Sequence, residues 1–162
     1  MSDTKRGDAE LAYLDDLTGL YNRRYILSRF NEEILRAISH QKPCSFIIMK
    51  IVNMQDLRLQ FGEAAYENLL RKIAQLLKTS LGEMDRAGRM EDDEFSIILP
   101  ERNKRQAQTI TSHIKEKIEL AFNEEEFSHR PQVSLGVVEN PIDGVDSSFL
   151  IQKAKELIHA EG

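Results

Sequence analysis

Apolar residues recur along this chain in two rhythms that take turns, and that alternation is the strongest constraint on its fold. Ile26, Phe30, Ile34 and Ile38 recur every four residues and predict a single apolar stripe on a helix from about Asn22 to His40. Pro43 stops it, and Cys44 to Val52, rich in β-branched and aromatic residues, reads as a central strand that is apolar on both faces until Lys50. Tyr66, Leu69, Leu70, Ile73, Leu76 and Leu77 then form a second helical face that ends near Gly82. Phe95 to Leu99 is another core strand, preceded by the acidic run Glu91-Asp92-Asp93-Glu94 at the place of a hairpin tip and closed by Pro100. Ile110, Ile114 and Ile118 mark a third helix, Val133 to Val138 a further strand after Pro131, and Phe149, Leu150, Ala154, Leu157 and Ile158 a last helix. Interleaving of this kind predicts one antiparallel or mixed sheet covered by helices, in the α+β or α/β class.

At 162 residues the chain is expected to be one domain, large enough to bury a core without disulfides or a structural metal. No apolar stretch is long enough to cross a bilayer, and Met1 to Glu10 lacks the apolar core of a signal peptide. The single cysteine, Cys44, has no internal partner and fits a reducing compartment, so a cytoplasmic location is expected. A net charge of -5 argues against a broad surface for nucleic acid. His40, His113, His129 and His159 are scattered without metal-ligand spacing, which predicts no zinc site.

The motifs are more specific than the periodicity. Asp16 to Arg24 (D-L-T-G-L-Y-N-R-R) falls within the D-x-L-T-G-L-x-N-R-R signature of GGDEF domains. It also makes physical sense, since Gly19 relaxes a tight turn and Asn22 can cap the helix that follows. Asp85, Arg89 and Asp93-Glu94-Phe95 keep the order and spacing of the family's D-x-x-x-R-x-G-G-D-E-F stretch, and Val133-Ser134-Leu135-Gly136-Val137 resembles its V-S-I-G-V strand. The chain is therefore identified as a member of the GGDEF, or diguanylate cyclase, family. The resemblance covers residues 14–162, with residues 1–13 as a leader or the end of a connecting helix. It implies the α/β sandwich of the nucleotidyl-cyclase palm, with a mostly antiparallel sheet covered by helices. Active members join two GTP molecules, one on each protomer of a dimer, into cyclic di-GMP. They use two divalent ions held by an aspartate on the first core strand and an acidic residue of the hairpin.

Set against that pattern, most of the implied site residues differ. Aligned through Gly62 on F-K-x-I-N-D-x-x-G-H-x-x-G-D, the metal-binding aspartate becomes Lys50, and the second aspartate of its pair becomes Val52. The lysine falls on Gln55, the asparagine that contacts base or ribose on Arg58, the histidine on Glu63 and the guanine-reading aspartate on Glu67. The two signature glycines become Glu91 and Asp92, leaving Asp93, Glu94 and Phe95 in place, with Asp93 the surviving metal-ligand position. Glycines there would allow positive φ and close approach of N–H groups to phosphate. Asp92 tolerates such a backbone better than Glu91. The family's product-inhibition motif R-x-x-D keeps Asp85, with Arg89 following, but has Gly82 in place of its guanidinium. A-D-x-A-L-Y-x-A-K falls on Ala154 to Gly162, so the phosphate-binding lysine is also replaced. An EF-hand reading of Glu91 to Glu94 fails for want of alternating ligands and a central glycine.

These residues predict a degenerate GGDEF domain without catalysis, serving as an interaction or dimerisation module between a sensor and an output domain. The alternatives are a GTP-binding sensor without turnover and an active diguanylate cyclase with a rebuilt site. No cofactor is expected, Mg2+ being needed only if activity survives. The expected partners are a second copy or a neighbouring sensor or output domain, with GTP as a ligand in the second reading.

Overall fold

The computed structural model describes residues 12–125 and 129–161. The residues expected to form the leader lie almost wholly outside that range, as does Gly162. Among the described residues nine elements follow one another: α1 (Arg23–His40), β1 (Cys44–Ile51), α2 (Met54–Phe61), α3 (Glu63–Ser80), β2 (Arg86–Glu91), β3 (Glu94–Pro100), α4 (Lys104–Ala121), β4 (Val133–Asn140) and α5 (Ser147–Glu161). The strands among them form one sheet of order β2-β3-β1-β4 in which every pairing is antiparallel.

The central strand explains its own composition. Phe46 and Ile48 enter one core with Ile26, Phe30 and Ile34 of α1 and Leu150, Ala154 and Ile158 of α5. Ile47, Met49 and Ile51 enter a second core with Tyr66, Leu70, Ile73 and Leu77 of α3 and Ala107, Ile114 and Ile118 of α4. Period-two alternation sends neighbouring side chains to opposite faces, so a strand covered on both sides must be apolar throughout. Lys50 is the next position on the Phe46 face, where the row leaves the core. Gly136 lets α5 lie directly on β4, because a Cβ there would stand 2.1 Å from the Ala154 carbonyl oxygen.

Local chemistry sets the ends of the elements. Gly19 takes φ 71° in the turn before α1, and Asn22 Oδ1 accepts from the Tyr25 N–H as the N-cap. Gln41, at φ 54°, ends α1 before Pro43 is reached. Asn103 and Gln106 form a reciprocal capping box at the start of α4.

Several sequence expectations need correction. Ile38 is 48 % exposed while its neighbour Ala37 is buried, because a strict four-residue spacing drifts round a 3.6-residue helix and carries Ile38 off the buried face. Val52 lies in the turn after β1. Met54 to Phe61 forms a separate helix that the apolar periodicity does not announce, since Leu57 is its only buried residue. Positive φ among the described non-glycine residues is confined to Gln41 and Glu101, so Glu91 and Asp92 replace glycines without adopting a left-handed backbone.

Candidate functional site

The acidic run turns from β2 into β3 at the edge where β1 ends. Antiparallel register places Lys50 opposite Glu94 on β3 and opposite Ser134 on β4, and the Ile51 N–H donates to the Asp93 carbonyl oxygen at 2.8 Å. The Lys50 ammonium lies 4.0 Å from Asp93 Oδ2. Beside it, Lys155 Nζ of α5 lies 3.7 Å from Glu94 Oε1. Glu94 is buried, and Oε1 has no hydrogen-bond partner. Burial raises its pKa above the ordinary carboxylate range. Lys155 opposes that, while Asp93 and Glu91 add to it and Lys50 works against them. Two cations from two elements thus flank the two surviving acids of the motif. Lys155 falls on the aspartate of the A-D-x-A-L-Y-x-A-K stretch, a replacement legible in the alignment.

Against the hairpin, α2 and α3 present a second network. Arg58 Nη2 donates to Glu63 Oε1 at 3.0 Å, and Nε stands 2.9 Å from Glu63 Oε2. Nη2 also lies 3.5 Å from Asp92 Oδ2. The guanidinium carbon sits 4.6 Å from the centroid of the Tyr66 ring, whose hydroxyl donates to the Asp92 carbonyl oxygen at 3.3 Å. Burial, with Asp93 next in weight, pushes the Tyr66 phenol up to about 12, so it remains a donor. Tyr66 occupies the second glycine of the G-H-x-x-G-D stretch. In the sequence it reads as a core residue, because it also keeps the helical apolar period of α3. Gln55 is exposed on α2, and Glu67 is partly exposed with its carboxylate 3.8 Å from Arg71 Nη2.

The hairpin is fastened from its other side as well. Arg23 of α1 pairs with Glu91. Arg89 donates to the Asp92 carbonyl oxygen at 3.2 Å and to Asp15 Oδ2 at 3.3 Å, and Asp15 in turn accepts from the Thr18 N–H at 3.0 Å and hydroxyl at 2.7 Å. Asp15, Arg23, Arg89, Met90, Glu91, Asp92 and Asp93 line an open cleft of about 560 Å³. Asp85 does not share it. Its carboxylate accepts from the Gly82 N–H at 2.8 Å and lies 3.4 Å from Arg102 Nη1, a guanidinium that arrives from the β3–α4 turn. The inhibitory-site remnant is therefore split, with Asp85 and Arg89 committed to different partners.

The residues present do not suit a divalent ion. Such an ion needs convergent oxygens, whereas the position that the resemblance assigns to one ligand carries the Lys50 ammonium. Among the described residues no group of three or more His, Cys, Asp or Glu side chains converges as a metal site. Cys44 is buried elsewhere, and burial, with help from Glu33, pushes its thiol up to about 12, which makes it inert.

Comparison with known proteins agrees with the motifs. The family model described as diguanylate cyclase, GGDEF domain, matches residues 12–161. Response regulator PleD of Caulobacter vibrioides is 26 % identical over 155 residues, covering 93 % of this chain but 34 % of PleD, so the chain spans about a third of that relative. The crystal structure of the FimX GGDEF domain from Pseudomonas aeruginosa superimposes with a TM-score of 0.81 at 21 % identity, covering 93 % of this chain and 95 % of that one. Diguanylate cyclase SiaD of Pseudomonas aeruginosa, solved in complex with its activator SiaC, gives a TM-score of 0.82 at 23 % identity over 99 % of this chain and 62 % of SiaD. At these identities the structural likeness is one of fold.

Proposed function

The chain belongs to the GGDEF, or diguanylate cyclase, family, and from that premise we propose that it is a catalytically inactive GGDEF module of a cyclic di-GMP-type signalling protein. The module spans residues 14–162, with residues 1–13 leading into it. One observation carries the reading: the Lys50 ammonium stands 4.0 Å from Asp93 Oδ2 where the family's chemistry needs a metal between two carboxylates. Two-metal phosphoryl transfer uses those ions to neutralise the triphosphate and to activate the attacking hydroxyl. An ammonium supplies one fixed positive charge and no coordination sites. It cannot coordinate the triphosphate and the attacking hydroxyl together as a divalent ion does. Glu91 and Asp92 add carboxylates where glycine N–H groups would have met phosphate, which opposes a tetraanionic ligand further.

What remains is a folded domain whose output is contact. A neighbouring sensor or output domain, or a second copy, is the fitting partner. The SiaD complex supports this by showing a protein of the same fold held by a protein partner. None of the described helices is long and apolar enough to cross a membrane, and a cytoplasmic location suits the family's ligand. The test is incubation with GTP and Mg2+ or Mn2+. The expected result is no cyclic di-GMP above the protein-free blank. Product that disappears in Asp93→Ala would overturn the reading.

A further inference from the structure

Four departures from the family pattern touch one another. Arg58, Glu63, Tyr66 and Asp92 each replace a residue of a different character, yet they form one closed network of ion pairs, a cation–π stack and a hydrogen bond. Unrelated losses would leave stranded charges. Here each new charge meets a new partner. We propose that Arg58 is a guanidinium plug that covers an aromatic platform formed by Tyr66 and so closes this face of the helix pair against purines. The inference rests on assigning this face as the counterpart of the family's nucleotide site, and it names how that site is regulated.

The geometry gives each residue a part. A planar cation 4.6 Å above the Tyr66 ring takes the place a stacked base would need. Glu63 holds the guanidinium from α3 and Asp92 holds it from the hairpin, so the plug also ties the hairpin to the helix pair. The Tyr66 hydroxyl, bonded to the Asp92 carbonyl oxygen, fixes the ring in its orientation. Glu67, the next residue along α3, carries a partly exposed carboxylate able to accept from a guanine edge once the plug is withdrawn. Arg58 is therefore a latch whose release exposes a stacking face and an acceptor together.

The experiment uses guanosine, which carries no phosphate and needs no metal, titrated calorimetrically into the unaltered chain and into Arg58→Asn. Arg58 is partly exposed, so the variant keeps the fold, which circular dichroism and a urea midpoint check directly. Arg58→Asn is expected to take up guanosine at least tenfold more tightly than the unaltered chain. Asp92→Gly, which releases the hairpin end of the plug but leaves Glu63, should fall between them. Adding Tyr66→Leu to Arg58→Asn should abolish the gain by removing the platform. Equal uptake by the unaltered chain and Arg58→Asn, including none by either, overturns the proposal, as does a gain that survives the loss of Tyr66. Cyclic di-GMP synthesis measured on the same proteins separates this outcome from the inactivity of the module, since guanosine uptake does not involve the metal position.

Discussion

Lys50 continues the row of Phe46 and Ile48 on one face of β1, so its stem is held by the core while its ammonium reaches the hairpin. Its nitrogen sits at the outer limit of an ion pair with Asp93, and Glu94 faces it across the ladder. Lys50→Ala should therefore cost about 1 kcal/mol, the range of a partly shielded pair, read as a lower urea midpoint at unchanged slope. Lys50→Asp adds a third carboxylate beside Asp93 and Glu94 and should cost about 2 kcal/mol in chelator. Mg2+ or Mn2+ should restore much of that, because an ion bound only by the folded state stabilises it by mass action; no recovery would mean that the oxygens do not converge. Gly82 makes the opposite point. Its position suggests that an arginine there would rebuild the inhibitory motif, but Arg102 already lies beside Asp85, and Arg89 is engaged with Asp15. Gly82→Arg alone should give no gain in cyclic di-GMP binding by calorimetry. The sequence could place Lys50 because one glycine fixes its alignment. It could not place Arg102, because that contact depends on where the end of β3 returns in space.

Elements were legible wherever burial is periodic and illegible where one contact decides. The long helices α1, α3, α4 and α5 bury most of the residues their spacing singles out, Ile38, Phe149 and Leu157 being the exposed exceptions, and β1 displays its two-sided cover as an unbroken apolar run. Helix α2 buries Leu57 alone and leaves no period to find. Nor does periodicity show how α4 and α5 are joined to the end of β4. Asp143 does this, with Lys104 Nζ at 2.7 Å and Lys153 Nζ at 2.9 Å, while its Oδ2 accepts from the Glu139 N–H at 2.8 Å. Burial alone would raise the Asp143 pKa, but the hydrogen bonds from Lys104, Lys153 and Glu139 outweigh it and hold the value at about 2. A carboxyl depressed in the folded state contributes stability that is present above its unfolded value, about 4, and is lost as pH falls through about 2. Both lysines are partly solvated, which limits the contribution to about 1–2 kcal/mol. Asp143→Asn should lower the urea-derived stability by that amount at pH 7, and the difference should shrink between pH 4 and pH 2. A difference that stays constant over that window would assign the loss to packing instead of charge.

At the scale of the whole molecule, the hairpin tip is where separate parts of the chain meet. Arg23 reaches it from α1, Lys50 from β1, Arg58 from α2 and Lys155 from α5, and each faces a different acid of the run Glu91 to Glu94. The sequence places four acids at this edge, two kept from the family motif and two in place of its glycines, and the cations that answer them come from positions as far apart in sequence as 23 and 155, which the fold brings together. The arrangement has a thermodynamic consequence. A cluster of uncompensated carboxylates would gain stability from any divalent ion that bound it, and an ion present at ten times its dissociation constant would add about 1.4 kcal/mol, roughly 3–6 °C in melting midpoint for a chain of this size. With an internal cation already beside each acid, an incoming ion would have to displace a lysine or arginine and leave it unpaired. The melting midpoint of the unaltered chain should therefore move by less than about 1 °C between chelator and roughly 10 mM Mg2+. Calorimetric or fluorescence melting checks this. A rise of several degrees, abolished in Asp93→Ala, would show that the hairpin still prefers a metal to its own lysines and would return the domain to the metal-dependent members of its family.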